Sequence, residues 1–577
     1  MVAALTMPPS SSAPGASSAP FRDTLSPDWS PPPMLLGDLI DQTVRDHGPR
    51  IAVDFMGRTW TYRALGRMIE RAARGFQDLG VVKGDRIALC LPNTPYYIVL
   101  YFAALKIGAV VVNLNPLYTP GEMRHLLKDS GARIVAVPDL REIHGKVRDL
   151  AQECALSKIL VCPMAGILPQ VKAWAWRLFK RRDHARYAHD ALHMRFCDLI
   201  ARGDPVSPVA LVPEDLAVLQ YTGGTTGTPK GAMLTHRNLT ANALQQQAHI
   251  HGDLPPPQRT LAVLPFFHVF ALTAVLDFSI LAGAELVLMP RFEMGAFLAT
   301  IRRKPPTLFF GVPTLFIAIN ALDDARVPDF SRLRACISGG APLPLEVRET
   351  FEKRTGARVC EGYGLTEASP IVTCNPVDGE IRANSCGVHF PGTQIEIRDP
   401  DNPGTILPLG ENGEVCVRGP QVMAGYWKRP EETAQVFIEG ALRTGDIGHL
   451  DADGYLYLVD RLKDVILSGG YNVYPRVIEE AAYLHPAIEE AIAIGIPDTY
   501  RGQSAKLFVK LHAGHSISPE DLLVFLAGHL NKIEVPRAVE IRDSLPRTMV
   551  GKLSKKELVA EERARREAAK ANEAGNA

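Results

Sequence analysis

Short apolar runs alternate with longer segments along most of the chain. Residues 51–55, 86–91 and 110–114 are apolar runs of strand length, and they predict short buried strands. Residues 64–79 and the apolar segment 95–107 are long enough for helices. Because strands that alternate with helices of this length form βαβ units, the pattern predicts mainly parallel sheets with helices on both faces.

The pattern changes toward the C-terminus. Residues 394–399, 413–418 and 455–459 are separated by Gly and Pro turns and predict an antiparallel β subdomain. A second αβ unit follows, with a strand at 465–467 and a helix at 475–484. The predicted fold class is therefore multi-domain α/β (α+β): a large N-terminal domain of two αβ sheets plus a β subdomain, and a small C-terminal α+β domain.

Composition excludes several classes of function. The 577 residues are too many for one compact core, and Lys+Arg and Asp+Glu both number 63, which disfavours a nucleic-acid partner. The nine cysteines include no C-x-x-C pair, which argues against a zinc site or disulfide framework and suits a reducing compartment. Lys106, Asp277 and Glu285 interrupt the longest apolar runs, and no secretory signal is present, so we expect a soluble cytosolic enzyme.

A glycine- and threonine-rich loop follows the apolar positions of residues 216–219, which predict a buried strand. The string QYTGGTTGTPKGAMLTH begins at Gln220. Glycine lets backbone amides turn toward an anion, threonine hydroxyls add donors and Mg²⁺ ligands, and Lys230 adds a positive charge. This chemistry predicts a phosphate cradle, although the Walker A pattern is absent. The alternative is a flexible loop between a strand and a helix. The loop residues assigned to phosphate binding are Thr222, Gly223, Gly224, Thr225, Thr226, Gly227, Thr228 and Lys230.

Residues 171–182 carry aromatic and basic side chains at near-helical spacing. Val171, Trp174, Leu178 and Phe179 are surrounded by five Lys and Arg residues. Aromatic anchors beside a basic cluster suit an interfacial helix on an anionic membrane, which predicts peripheral membrane contact on the inner face. The alternative is a surface helix whose aromatics pack on the core.

Four further segments agree with the glycine-rich loop. They are YGLTE at 363–367, RTGDIG at 443–448, DRLKDVILSGGYNVYP at 460–475 and PRTMVGKLSK at 546–555. Each resembles a motif of the adenylate-forming (AMP-binding) superfamily, which includes acyl-CoA synthetases, and the motifs occur in the family's order. The resemblance covers roughly residues 35–558, and the strings are most similar to those of bacterial long-chain fatty-acid–CoA ligases.

The resemblance implies a division of the chain and a mobile small domain. Residues 1–33 are expected to be a disordered tail rich in Pro, Ser and Ala, and residues 34–459 the large AMP-binding domain. Residues 460–463 would be a hinge, and residues 464–577 a small domain that carries the catalytic lysine and ends in a solvated tail. By resemblance, Lys463 is the hinge residue, and Ser468, Gly469, Gly470 and Tyr471 approach the thiol of CoA.

The resemblance also assigns catalytic and nucleotide-binding residues. Lys552 would bridge the carboxylate and the α-phosphate, His268 would lie near the substrate carboxylate, and Glu367 and Thr222 would bind Mg²⁺. Asp446 would accept the ribose hydroxyls beside Arg461, and Tyr363 would stack on adenine. The remaining assigned residues are Gly339, Gly340, Ala341, Glu361, Gly362, Gly364 and Thr366. Alternatives stay open: a packing role for the aromatic and glycine positions, a core position for His268, a turn position for Asp446 and a surface position for Lys552.

The predicted reaction is ATP-dependent activation of a long-chain fatty acid to acyl-AMP and then acyl-CoA, with ATP, Mg²⁺ and CoA as partners. Phe267 and His268 follow Phe266 where amino-acid-activating relatives carry an aspartate, so an amino-acid substrate is disfavoured. A medium-chain, dicarboxylic or aryl acid, or transfer to a carrier protein, remains the nearest alternative. A regulator that has lost catalysis is a further one. We also expect a cytoplasmic protein and a homodimer.

Overall fold

The computed structural model describes residues 29–575 except 189, 202, 223–228, 251–256, 470, 499 and 548–552, with side chains to residue 568. Its strands in chain order are β1 (Ile51–Phe55), β2 (Arg58–Thr61), β3 (Arg86–Leu89), β4 (Val110–Asn113), β5 (Ile134–Pro138), β6 (Lys158–Cys162), β7 (His193–Arg195), β8 (Leu216–Thr222), β9 (Lys230–Thr235), β10 (Arg259–Ala262), β11 (Glu285–Leu288), β12 (Leu308–Gly311), β13 (Ala335–Gly339), β14 (Cys360–Gly364), β15 (Ile371–Cys374), β16 (Val388–His389), β17 (Gln394–Arg398), β18 (Gly413–Arg418), β19 (Phe437–Ile438), β20 (Ala441–Leu450), β21 (Leu456–Arg461), β22 (Ile466–Ser468), β23 (Tyr471–Val473), β24 (Ile488–Asp498), β25 (Gly502–Leu511) and β26 (Ala538–Ile541).

The helices cover the two faces of the larger sheets. In chain order they are α1 (Leu36–His47), α2 (Tyr62–Asp78), α3 (Pro95–Lys106), α4 (Pro120–Ser130), α5 (Arg141–Leu150), α6 (Gln170–Phe179), α7 (Phe196–Leu199), α8 (His236–His249), α9 (Val269–Ala271), α10 (Phe278–Leu281), α11 (Met294–Arg303), α12 (Pro313–Asn320), α13 (Leu345–Thr355), α14 (Pro430–Val436), α15 (Pro475–Tyr483), α16 (Pro519–Ala527) and α17 (Lys555–Gly575). A π-helical segment, Leu272–Asp277, joins α9 to α10. Within the described residues, no helix is both long and apolar enough to span a membrane.

Two large sheets are mainly parallel, as the strand–helix alternation predicts. The nine-stranded sheet has the order β16-β15-β14-β13-β12-β10-β11-β1-β2, and the seven-stranded sheet has the order β7-β6-β5-β3-β4-β8-β9. Their central pairs are parallel, and antiparallel pairs occur toward the edges. Strands β4, β5 and β12 are buried along their whole length, because helices cover both faces of a parallel sheet.

Helix α3 connects the two large sheets. Its residues are buried from Pro95 to Leu105, and it packs on α1, α2 and β4. Tyr97 donates its hydroxyl hydrogen to the carbonyl of Phe266, which follows β10 in the other sheet. A helix that is apolar all round belongs in such an interior position.

Two smaller sheets follow. The predicted antiparallel β subdomain is confirmed: β17, β18, β20 and β19 form one sheet, and β21 pairs with β20. The predicted C-terminal αβ unit is also confirmed, because β22 to β26 form one sheet that packs against α15 and α16. The predicted domain boundaries stay predictions.

Three local expectations need correction. The glycine-rich loop joins two antiparallel strands, β8 and β9, because residues 230–235 pair with β8 before helix α8 begins. Strand β20, which contains Asp446, was not predicted, since its glycines and polar residues hide the apolar alternation. Residues 358–361 predict a short strand that ends at Glu361, but β14 extends to Gly364, which places Tyr363 in the sheet.

Candidate active site

The predicted nucleotide-binding residues that the structure describes all line one cleft of about 1420 Å³. The cleft lies at the carboxyl ends of β12, β13 and β14, where open α/β sheets bind ligands. The β subdomain adds residues of β20 and β21 to the wall that these strands form, and the C-terminal side contributes α15 and residues 553–556. The predicted site residues that line it are Thr222, Lys230, His268, Gly339, Gly340, Ala341, Glu361, Gly362, Tyr363, Gly364, Thr366, Glu367, Asp446, Arg461 and Lys463.

Some predicted site residues do not join this cleft. Gly223, Gly224, Thr225, Thr226, Gly227 and Thr228, together with Lys552 and Gly470, lie outside the described residues. Ser468, Gly469 and Tyr471 belong to the hairpin of β22 and β23 and are not among the residues that line the cleft. The described residues on either side of residues 223–228, Thr222 at the end of β8 and Lys230 at the start of β9, both line the cleft.

Asp446 is held by two protein groups. The hydroxyl of Tyr363 donates to its Oδ2 at 2.6 Å, and Nε of Arg461 lies 3.3 Å from its Oδ1. Asp446 on β20 pairs directly with Arg461 on β21, so it is a strand residue and the turn alternative is wrong. Burial raises the pKa of Asp446, and Arg461 and Tyr363 oppose that shift. The result is a fixed carboxylate acceptor at the wall of the cleft.

Glu367 has a partner that sequence reasoning missed. The hydroxyl of Tyr426 donates to Oε1 of Glu367 at 2.8 Å, and Nζ of Lys230 lies 5.2 Å from the centre of the Tyr426 ring. Tyr426 therefore links the carboxylate of Glu367 to the end of the glycine-rich loop. No sequence motif pointed to it, because it lies 59 residues from Glu367 in the chain.

A magnesium ion would find only part of its ligand set in the protein. Among the described side chains, no group of three or more His, Cys, Asp and Glu could hold a metal. Glu367 and Thr222 supply one carboxylate and one hydroxyl at the cleft. This donor set fits Mg²⁺, which takes one or two protein oxygens and completes its shell with phosphates and water.

The loop that carries His268 is held by buried polar side chains. Asn93 accepts from the amide of Phe266 at 2.8 Å, and Gln220 donates to the carbonyl of Phe267 at 2.9 Å. Asn113 donates to Gln220 at 2.9 Å, which connects the loop to the seven-stranded sheet. His268 is half-buried and faces the cleft. The sequence did not reveal this clamp, because Gln220 and Asn93 are more than 45 residues from the loop in the chain and approach it only in the folded structure.

Several glycines of the site are required by packing. A Cβ at Gly364 would lie 2.1 Å from the carbonyl oxygen of Pro370, and one at Gly362 would lie 3.1 Å from that of Thr373. A Cβ at Gly339 would lie 3.1 Å from the ring of Phe270. These contacts support the packing alternative for the three glycines, although all of them line the cleft.

Cations converge at the junction with the C-terminal sheet. Burial lowers the pKa of Lys463, and the neighbouring Arg461 lowers it further. Arg476 donates to the carbonyl of Leu458 at 2.9 Å, and its amide donates to Asp460 at 2.8 Å. The side chains of Lys463 and Arg476 both line the cleft.

The fold thus defines a multi-domain α/β enzyme with a cleft between its large and small sheets. A family model described as "AMP-binding enzyme" matches residues 40–427, and one described as "AMP-binding enzyme C-terminal domain" matches residues 477–552. The chain belongs to the AMP-binding enzyme family.

Relatives of known name cover nearly the whole chain. A long-chain-fatty-acid–CoA ligase of Bacillus subtilis (strain 168) is 38% identical over 92% of this chain and 95% of its own length. One from Yersinia pestis is 40% identical over 88% of this chain and 91% of its own length. A feruloyl-CoA synthase of Amycolatopsis sp is 37% identical over 88% of this chain and 95% of its own length.

Solved structures agree with the family. The anthranilate CoA ligase AuaEII in complex with anthranoyl-AMP superposes with a TM-score of 0.81 at 27% identity, covering 93% of this chain and 99% of that one. ATP-bound MatB from Rhodopseudomonas palustris superposes with a TM-score of 0.78 at 28% identity, covering 91% and 98%.

Proposed function

We propose that this chain is an acid–thiol ligase that converts a long-chain fatty acid to acyl-CoA. The carboxylate oxygen bonds to the α-phosphorus of ATP as the bond to pyrophosphate breaks. The thiol sulfur of CoA then bonds to the acyl carbon, and AMP leaves. The main observation in support is that one cleft joins the Tyr363–Asp446–Arg461 group to an apolar region.

The first step needs positive charge near the α-phosphate, because an anion attacks a polyanion. We assign this role to Lys552 on its motif, with Lys230 at the glycine-rich loop. Asp446 would accept the ribose hydroxyls, and the ring of Tyr363 would face the adenine. His268 would contact the carboxylate from the loop that Gln220 and Asn93 clamp.

Magnesium would be held by Glu367 and Thr222 together with phosphate oxygens. When bound, it would neutralise charge on the triphosphate. Tyr426 would orient Glu367 through the hydrogen bond to its Oε1. The carboxylate therefore keeps one oxygen engaged with the protein and can offer the other to the cation.

The acyl region is formed by apolar and small side chains. Phe270, Val312, Ile317, Leu343 and Ile371 line the cleft. A buried methylene contributes roughly 0.8 kcal/mol, so a long chain can bind strongly without polar contacts. Residues 312–317 include no charged side chain that could pair with a second carboxylate. The feruloyl-CoA synthase relative keeps an aryl acid as the second candidate substrate.

The second step would use the small domain in another orientation. We place the hinge at residues 460–463 and the thiol approach at the turn of β22 and β23. Gly469 has φ near +60° and no atom within 4 Å of its Cβ position, so this turn has room for a ligand. Tyr471 is exposed beside it.

Location and assembly depend on other surfaces. A cytoplasmic protein at the inner face of a membrane, and a homodimer, stay predictions. A carrier protein in place of CoA also stays an alternative, because it would use the same acyl adenylate.

The test is AMP release with acetate, palmitate, oleate, benzoate and adipate, each with and without CoA. We expect CoA-dependent turnover that peaks at palmitate or oleate. A peak at benzoate or adipate would keep the chemistry and overturn the substrate. Absence of turnover with every acid would contradict the proposal, and a separate assay with an acyl carrier protein would identify the alternative acceptor.

A further inference from the structure

Helix α6 exposes an apolar face that no other described part of the chain covers. Val171 is 83% exposed, Trp174 75%, Leu178 57% and Phe179 80%. Single exposed apolar residues are normal, but four within nine residues form a patch of the kind that marks an interaction surface. We call these four residues the α6 face.

The helix is anchored by its opposite side. Ala173 is buried and Trp176 is partly buried against the core, so the aromatic-on-core alternative holds for Trp176 but is wrong for Trp174 and Phe179. At 3.6 residues per turn, Val171, Trp174 and Leu178 fall within about 60° of one another, on the side away from Ala173. Helix geometry therefore points these three side chains outward, and Phe179, the last residue of α6, is exposed beside them.

Basic side chains surround the α6 face. Residues 170–182 contain five Lys and Arg and no Asp or Glu. Lys172 and Arg177 flank the apolar stripe, and Arg181 and Arg182 follow the end of the helix; all four are exposed. Among the residues that the structure describes, the one ion pair of this stretch joins Lys180 to Asp183 at 3.1 Å. The surface thus combines apolar area with a local positive charge.

The adjoining loop extends the surface. Nζ of Lys172 donates to the carbonyl of Met56 at 2.8 Å, which fixes α6 beside the turn between β1 and β2. Arg58 from that turn donates to the carbonyl of Gly166 at 2.6 Å, at the start of the α6 segment. The side chain of Met56 is 39% exposed. The helix is therefore held in place on a sheet edge, ready for contact with an outside partner.

We propose that the α6 face docks the protein on an anionic lipid bilayer. Trp and Phe side chains on one side of a short helix enter the boundary between headgroups and acyl chains, and flanking Lys and Arg contact lipid phosphates. Charge complementarity selects this occupant: a protein partner would have to bring matching acidic groups, whereas an anionic bilayer presents them everywhere. The proposal is independent of the reaction in the cleft.

The experiment measures binding of the full chain to vesicles of phosphatidylcholine, with and without phosphatidylglycerol. We expect binding only to the anionic vesicles and weaker binding at high salt. Acyl chains brominated near the headgroup should quench the fluorescence of Trp174, and Trp174→Phe should lose that quenching. Failure of the wild type to bind anionic vesicles would overturn the proposal.

Three multiple variants separate the contributions. Removing the α6 face should lower vesicle partitioning at least about tenfold, and removing flanking charge should lower it about fivefold per basic side chain. The control removes exposed apolar residues elsewhere and should bind like the wild type. The three are Val171→Ser/Trp174→Ser/Leu178→Ser/Phe179→Ser, then Arg177→Gln/Arg181→Gln/Arg182→Gln, and the control Val82→Ser/Val524→Ser.

Two readouts guard the conclusion. Each variant should keep the wild-type melting temperature and CoA-dependent AMP release in vesicle-free buffer, which shows that it is folded. Equal vesicle binding by the face variant and the wild type would overturn the proposal. So would sedimentation showing a wild-type dimer that the face variant converts to monomer without any vesicle binding, because the face would then be an interface between copies of this chain.

Discussion

The two walls of the cleft hold their charged groups in different ways. On the wall formed by the large sheets and the β subdomain, Asp446 is fixed by Tyr363 and Arg461 across paired strands. On the wall formed by the C-terminal side, Lys555 pairs with Glu479 at 3.1 Å. Arg476 donates to the carbonyl of Leu458, just before the proposed hinge. The groups that fix Asp446 therefore belong to regular sheet structure, whereas Lys555 and Arg476 lie where the β subdomain meets the C-terminal sheet.

This difference predicts a division of labour. A carboxylate fixed within paired strands is preorganised for every step in which the nucleotide is present. Cations on the C-terminal side would act only while that side faces the cleft, because the proposed hinge would move them together. Variants on the first wall should therefore affect both half-reactions, and variants on the second should affect one half-reaction or the position of the hinge.

The largest expected effect is that of Lys552→Ala. Loss of a cation that stabilises the transition state should slow adenylation at least about 10²-fold. Formation of acyl-CoA from supplied acyl-AMP should stay near the wild-type rate. The two half-reactions are measured separately, with Lys510→Ala in the same domain as the control. Equal loss of both half-reactions would show that Lys552 does not have the assigned role.

The next effect concerns pH and stability. Burial raises the pKa of Glu361 from 4.5 to about 7, and Arg476 from the other wall opposes that shift. A raised pKa means that folding favours the protonated form of Glu361. The contribution of this group to the free energy of unfolding is therefore most favourable below pH 4.5 and is lost as the pH rises through 7. At higher pH the ionised group destabilises the fold by on the order of 3 kcal/mol.

Glu361→Gln tests this coupling, because glutamine imitates the protonated acid and can still accept from the amide of Leu343. The melting temperature of the variant should rise relative to the wild type between pH 5 and pH 8. Glu352→Gln, at a less buried helix position, serves as the control. A constant difference across this pH range would mean that Glu361 does not titrate there.

Tyr363→Phe should have an intermediate effect. It removes the hydroxyl that donates to Asp446 and keeps the aromatic ring. A hydrogen bond to a charged group is worth about 1.5–3 kcal/mol, so the KM for ATP should rise about tenfold. Tyr455→Phe, which loses a hydrogen bond to the carbonyl of Glu380, should leave the KM unchanged. A wild-type KM for Tyr363→Phe would separate Tyr363 from ribose recognition.

The smallest expected effect is that of Arg476→Gln. This change removes the side-chain bond to Leu458 and should free the hinge at residues 460–463. Tryptic cleavage after Arg461 and Lys463 should be about threefold faster, because one hydrogen bond contributes about 0.5–1.5 kcal/mol net. Arg542→Gln, whose partners Glu540 and Glu561 lie in the same domain, is the control. An unchanged rate of cleavage would show that Arg476 does not restrain the hinge.

The sequence predicted the fold where local pattern determines structure. Strands β4 and β12 and helix α3 are apolar along their length, so their type and position were visible. Strand β20 was not visible, because Gly445 and Gly448 break its pattern and its pairing with β18 and β21 depends on the rest of the chain. Strand β9 was hidden for the same reason, since its partner β8 lies across the glycine-rich loop.

The site shows the same limit. Motifs located Tyr363, Asp446 and Glu367, but not Tyr426 or the clamp through Gln220, because these two side chains reach the site only through tertiary contacts. The spacing of apolar residues predicts that α6 is a helix but does not determine which side of the helix faces the core. That required the burial of Ala173 and the exposure of Trp174.

The division of labour between the two walls is tested most directly by comparing Asp446→Asn and Lys552→Ala in both half-reactions, under the same conditions and with the same fatty acid. Adenylation is followed by pyrophosphate exchange, and thioester formation by consumption of supplied acyl-AMP with CoA. We expect Asp446→Asn to slow both half-reactions, whereas Lys552→Ala should slow adenylation alone. The same profile for both variants would contradict the division of labour between the two walls of the cleft.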